Sequence, residues 1–410
     1  MRRVRIAGYA SAVVAPVLLG MLVFNSSHQG GGAGAASGAE LRASQRAESS
    51  AGISKLFARA EQGASAFQRV PVAKPGPQPV SHRELLRGAS AAGSNAAVPS
   101  VHTTGDVGAP QQAVASLTGG PALTVGADTL EQALSCPDSF THLHDPVLLV
   151  HGVTQTPGET WAWNYARVLP SGGYDVCTVA LPDFGRSDIQ IQTEYVVHAI
   201  KAMAERAGGK VDVVTHSMGA LPARAAIKWW PEVRPVVDDL IMVAGLNHGT
   251  VHMHWQCAIE CIPSFWQAKP GSRFLAALNA GDETPADVSY TSVYSRTDLP
   301  VQPELPGNAT SEVAGASNVA VQDLCLIRVV DHPQTVSDAA LYAVVIDALT
   351  HPGPADPARI DRSACMQVVA PGIDVGQSLA YELTWWRELT LRSQEHKTDA
   401  EPALAAWAVP

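Results

Sequence analysis

The chain has 410 residues, six cysteines and a net charge of −10. Length alone permits two or three domains, but composition argues for one folded unit. The acidic balance, with no basic cluster beyond the first five residues, argues against a nucleic-acid partner and suits an exported protein.

At the N-terminus, Arg2, Arg3 and Arg5 precede an apolar run over residues 6–24, and small residues follow at 31–39. Residues 1–39 therefore read as a signal peptide. A retained signal anchor is the alternative, since ~18 apolar residues can cross a bilayer, although Gly8, Ser11, Pro16 and Gly20 weaken the run. Residues 40–123 are rich in Ala, Gly, Ser, Gln and Pro. Such a segment buries too little apolar surface to offset its ordering entropy, so it reads as a disordered linker or propeptide. The folded domain is expected over 124–392, with a polar tail over 393–410.

Within the domain, Pro146-Val-Leu-Leu-Val-His151-Gly152-Val153 opens as a short buried strand and ends in His-Gly. The next informative segment is Val211-Asp-Val-Val-Thr215-His216-Ser217-Met218-Gly219, a strand that runs into a turn and then a helix over 220–229. A serine at a strand-to-helix turn, with small residues two before and two after it, has the form of a nucleophile elbow. Thr215 stands where the usual pattern has glycine, and the competing reading of Ser217 is a helix N-cap. Together the two strands predict an α/β-hydrolase fold, with a mostly parallel central sheet, helices on both faces and a short apolar lid-like insertion. In that fold the loop after the early strand and the residue after the nucleophile each donate a backbone N–H to an oxyanion hole. Those donors are Val153 and Met218, with His151 as a structural hydrogen-bonding residue beside them.

Acid and base should follow in chain order. Residues 288–294 alternate as a strand that leads to Asp298; residues 324–330 read as a second apolar strand that ends at His332, and 335–349 as a helix. Asp298 would orient His332, and His332 would take the proton of Ser217. Asp331 competes as the acid, but it cannot easily reach the Nδ1 of its own neighbour. His248, His252 and His254 precede the acid, which is the wrong order for a base. Residues 251–269 form the apolar insertion, with Trp255, Ile259, Ile262, Phe265 and Trp266. These, with Trp161 and Trp163, either line an acyl channel or pack the insertion onto the domain.

From about residue 130 to 365 the chain resembles the fungal lipase B family. The likeness runs through Leu130-Glu-Gln-Ala-Leu-Ser-Cys136, Thr193-Glu-Tyr-Val-Val-His-Ala-Ile200, Thr215-x-Ser217-x-Gly219, Tyr294-Ser-Arg-Thr-Asp298-Leu-Pro-Val-Gln-Pro303 and Val330-Asp-His332. A second likeness, in Val211-Asp-Val-Val-x-His-Ser-Met-Gly219, is to small bacterial class-two lipases. Both imply a serine esterase or lipase with Ser217, Asp298 and His332 as its triad. His216 stands where the family has an aromatic residue that shapes a small alcohol pocket, and His-Gly replaces Pro-Gly at the oxyanion loop. Stereopreference and chain-length range therefore do not transfer. Trp161, His216, Trp255, Phe265 and Trp266 are the candidate substrate-binding residues.

The resemblance also implies disulfides Cys136–Cys177 and Cys325–Cys365. Cys257 and Cys261 remain, close enough for a local bridge, with a metal reading kept open by His252 and His254. A lipid or other ester substrate and transient contact with a lipid interface are expected, as are a monomer and no cofactor, metal or nucleic acid. A polyester hydrolase or acyltransferase of the same fold, or an inactive surface binding module, are the alternatives.

Overall fold

The computed structural model describes residues 119–408. The expected signal peptide and nearly all of the expected linker lie outside the described residues. The strands are β1 (Leu134–Ser135), β2 (Val147–Val150), β3 (Val176–Val179), β4 (Val211–His216), β5 (Val237–Val243), β6 (Ser289–Tyr294), β7 (Glu304–Leu305), β8 (Asn308–Ala309) and β9 (Ser317–Ala320). Seven form one sheet in the order β1-β3-β2-β4-β5-β6-β9, parallel except for β1 against β3. β7 and β8 pair separately as a hairpin.

The sheet follows from its residues. β2 and β4 are buried along their whole length, the form a parallel strand takes when helices cover both faces. The principal helices are α1 (Ala127–Ala133), α2 (Ile189–Ala207), α3 (Ala220–Trp229), α4 (Ala339–Thr350) and α5 (Val375–Arg392). Successive strand side chains point to opposite faces. Leu148, Val150, Val213 and Leu240 meet Ile200 of α2 and Ile227 of α3. Leu149, Val214 and Ile241 meet Leu341 of α4 and Trp385 of α5. Asp188, Asp338 and Asp374 cap α2, α4 and α5, each accepting hydrogen bonds from first-turn amides.

Two sequence expectations are corrected. Residues 324–330 do not form a strand: the sheet takes β9 instead, and a short helix, Val321–Leu324, follows it. The apolar run then crosses the surface with Leu326, Ile327 and Val329 exposed. It is held off the sheet by the Cys325–Cys365 disulfide and by Arg328, which binds Asp338 and the carbonyls of Cys365 and Val368. The helix expected over 335–349 is divided, with a 3₁₀ turn at His332–Val336 and α4 from Ala339, because the Asp338 cap starts a new helix.

The segment after Arg392, read as a tail, packs onto the domain. Trp407 lies 5.4 Å from Trp229 and 4.6 Å from Trp230, and Glu401 accepts from the amides of Arg273 and Phe274 at 3.0 and 2.9 Å. The three disulfides are Cys136–Cys177, Cys257–Cys261 and Cys325–Cys365. The two with separations of 41 and 40 residues each restrict the unfolded chain by about 4 kcal/mol in the chain-entropy account. Because Cys257 and Cys261 are bonded to each other, the metal reading of that pair falls. Among the described residues, no helix is long and apolar enough to cross a membrane.

Candidate active site

β4 delivers Ser217 at the carboxyl end of the sheet, with φ at 58°. A non-glycine residue rarely adopts this left-handed conformation, which the packing around it must hold in place. Gly219 makes that packing achievable: a Cβ there would stand 2.5 Å from the His151 carbonyl oxygen. Gly152, on the loop after β2, is equally constrained, since its Cβ would lie 2.8 Å from Ser217 Cβ. Strand, turn and loop therefore meet at backbone contact distance around one hydroxyl.

His332 Nε2 lies 2.7 Å from Ser217 Oγ, and its Nδ1 lies 2.6 Å from Asp298 Oδ2. All three are buried, Ser217 being 4% exposed. Asp298 follows β6, and its second oxygen accepts from Val301 N at 2.8 Å. Thr335 Oγ1 donates to the His332 carbonyl at 2.6 Å. Asp331 turns away from the imidazole and accepts from Leu299 N at 2.9 Å, so it pins the acid's loop. His248 pairs with Glu283 at 3.2 Å, and His252 and His254 stand exposed on the insertion. None of these three histidines bonds to Ser217 or Asp298.

The loop after β2 is braced from two sides. His151 Nδ1 donates to Gly152 O at 2.7 Å while its Nε2 accepts from Leu181 N at 3.0 Å. That role needs a neutral ring, and burial lowers its pKa to about 4. From the other side, Arg392 at the end of α5 donates to the Thr154 carbonyl at 2.7 Å and binds Glu159 at 2.9 Å. Glu159 in turn closes a capping box with Thr156. Val153 and Met218, whose N–H groups were expected to form the oxyanion hole, contribute buried side chains to a single apolar cluster that also holds Phe265 of the insertion.

His216 is fully buried, 4.9 Å from the His332 ring and 6.3 Å from Trp161. Burial first, then the nearby charge of His332, holds its pKa well below the ordinary value. Neither of its ring nitrogens has a hydrogen-bond partner, nor do Trp161 Nε1, Thr154 Oγ1 or the Gln155 amide. The other candidate substrate residues divide. His216 stands beside His332 with Trp161 on its far side, and Phe265 shares an apolar cluster with the side chains of Val153 and Met218. Trp255 is 82% exposed, while Trp266 donates to the Thr398 carbonyl at 3.1 Å and anchors the C-terminal segment. Trp385 on α5 was not foreseen; its ring centroid lies 5.1 Å from that of His332, with the two planes tilted by 55°. The Trp385-Trp386 pair is visible in the sequence, but what it covers depends on how α5 docks.

A mostly parallel sheet with helices on both faces, and a strained serine turn after its central strand, defines the α/β-hydrolase class. The comparisons narrow that class. A family model described as lipase (class 2) matches residues 144–339. Lipase B of Pseudozyma antarctica is 33% identical over 236 residues, which cover 56% of this chain and 69% of that protein. The crystal structure of Aspergillus fumigatus lipase B superposes with a TM-score of 0.67 at 31% identity, covering 71% of this chain and 73% of that one. The chain belongs to the lipase B family and is a carboxylic-ester hydrolase.

Proposed function

We propose that Ser217 is the nucleophile of this hydrolase, His332 its general base and Asp298 the acid that fixes the imidazole. The observation that carries the reading is the unbroken hydrogen-bond chain from Ser217 Oγ through His332 to Asp298, at 2.7 and 2.6 Å. His332 Nε2 removes the hydroxyl proton as Oγ attacks the ester carbonyl, whose oxygen becomes an oxyanion. The backbone N–H groups of Val153 and Met218 bind that oxyanion. Collapse expels the alcohol, which takes the proton from His332 and leaves an acyl-enzyme on Ser217. Water, activated by the same imidazole, then releases the acid.

Long-chain and glyceride esters are the proposed substrates, with contact at a lipid interface. Phe265 and the insertion supply an apolar wall beside Met218. The unpartnered donors and acceptors of His216, Trp161 and Gln155 favour an ester whose alcohol portion carries further polar oxygens, as a glyceride does. The proposed site of action is an oxidising compartment outside the cell, in keeping with three disulfides in the described domain.

A fluorophosphonate probe tests the nucleophile: wild type labels and Ser217→Ala does not. Labelling that survives the substitution would refute the assignment. A chain-length series of p-nitrophenyl esters, followed by emulsified triglyceride, then tests the substrate class. Turnover confined to acetate and butyrate would overturn the lipase half.

A further inference from the structure

The end of the sheet opposite Ser217 carries an acidic cavity that ester hydrolysis does not use. Asp145 precedes β2, Asp212 is the second residue of β4, and Asp238 and Asp239 are the second and third of β5. The β4–β5 register slips there: Val211 faces Val237, but Val213 faces Leu240. Asp238 and Asp239 together therefore oppose Asp212, an irregularity that re-aims side chains near the amino ends of these two central strands. One carboxylate oxygen from each of Asp145, Asp212 and Asp238 lies within 4.8 Å of the others. These residues line a cavity of about 480 Å³.

An acidic cluster alone does not make a site; Asp239 supplies the independent observation. It lines the same cavity and is 3% exposed, and its Oδ1 has no hydrogen-bond partner. An unpaired buried carboxylate is costly, and three more stand around it. The compensation on hand is small. Lys210 sits 2.6 Å from Asp238, with its side chain 45% exposed, and His144 stacks on Tyr174 at the cavity rim. Asp175, which also lines the cavity, accepts at Oδ2 from the Thr141 amide and hydroxyl.

We propose that Asp145, Asp212 and Asp238 bind a calcium ion beside the unpaired Asp239 carboxylate, and that the ion stabilises the domain without entering the ester chemistry. The donors are all hard carboxylate oxygens, as calcium prefers. Calcium–oxygen bonds of about 2.3–2.6 Å put opposite ligands about 5 Å apart, which suits the spacing of the cluster. The open cavity leaves room for water ligands and an irregular geometry, which magnesium tolerates poorly. Lys210, half in solvent, swings out as the ion enters. The site lies roughly 16 Å from Ser217 along β4, at about 3.3 Å per residue of a parallel strand. The assignment departs from the sequence expectation of no metal, and it stands or falls separately from the triad.

The test is calorimetric titration of the purified protein with calcium chloride, paired with thermal melts. The expected result is one saturable site and a Tm raised by about 3 °C at 5 mM calcium. The shift should be absent in Asp212→Asn/Asp238→Asn and accompanied by unchanged hydrolysis of a soluble ester. Asp145→Asn alone serves if the double variant does not fold. No calcium shift, or an equal shift in the variant, would overturn the site. An equal response to magnesium would overturn the assignment to calcium.

Discussion

The two ends of β4 treat buried polarity in opposite ways. At the carboxyl end, Ser217, His332 and Asp298 form a closed chain in which each group holds the next. At the amino end, Asp212 faces Asp145, Asp238 and Asp239 with one half-exposed lysine for compensation. One strand thus carries a polar group whose neighbours are supplied by the protein and another whose neighbours repel it. Burial by itself says little about function; the proposed reaction centre is a chain of groups paired with one another, whereas the proposed ion site gathers groups of like charge.

The sharpest way to break the comparison is Ser217→Ala, which should lower kcat by about 10⁴–10⁶ and leave Tm unchanged. A residual rate above about 1% of wild type would remove the carboxyl end from the chemistry. Asp298→Asn should cost about 10⁴ in kcat, read with a soluble ester at saturation. A larger loss in Asp331→Asn would mean that the acid is misassigned. Gly152→Ala forces a methyl against Ser217 and displaces the loop that carries Val153, for a loss of about 10²–10³, the usual cost of one oxyanion donor.

Smaller effects concern stability. His151 is held neutral by burial, at about 4 against 6.5 unfolded. A depressed folded pKa in a base means stability that is full above the unfolded value and lost as pH falls toward the folded one. From pH 7 to pH 5 that linkage costs about 2 kcal/mol, measurable by urea unfolding; His151→Gln should flatten the decline. The smallest change is at the amino end. In EDTA, Asp212→Asn should raise Tm slightly, because it replaces a buried acid crowded by other carboxyls with a neutral amide, and a fall in Tm would mean that the carboxyl already has a partner.

The legible parts of this protein were the local ones. Residues 211–219 encode a strand, a strained turn and a helix start in a single stretch, so the serine could be read without tertiary information. His332 was found by chain order, although the strand drawn in front of it does not exist. A seven-residue apolar run fits a strand, and its composition did not show that Arg328 and the Cys325–Cys365 bond would hold it at the surface. Trp385, Arg392 and Trp407 escaped notice because their roles depend on where the C-terminal segment docks. The acidic cavity was hidden for a related reason, since it arises from register between strands that are distant in sequence.

The Arg392 guanidinium has a mechanical consequence. It grips the Thr154 carbonyl, next to the amide proposed to receive the oxyanion, and it does so from the last residue of α5. Tension or clipping near the carboxyl terminus would therefore be felt as misalignment of that amide. Immobilising the enzyme through its final residues should slow turnover more than tethering it by a lysine far from this linkage.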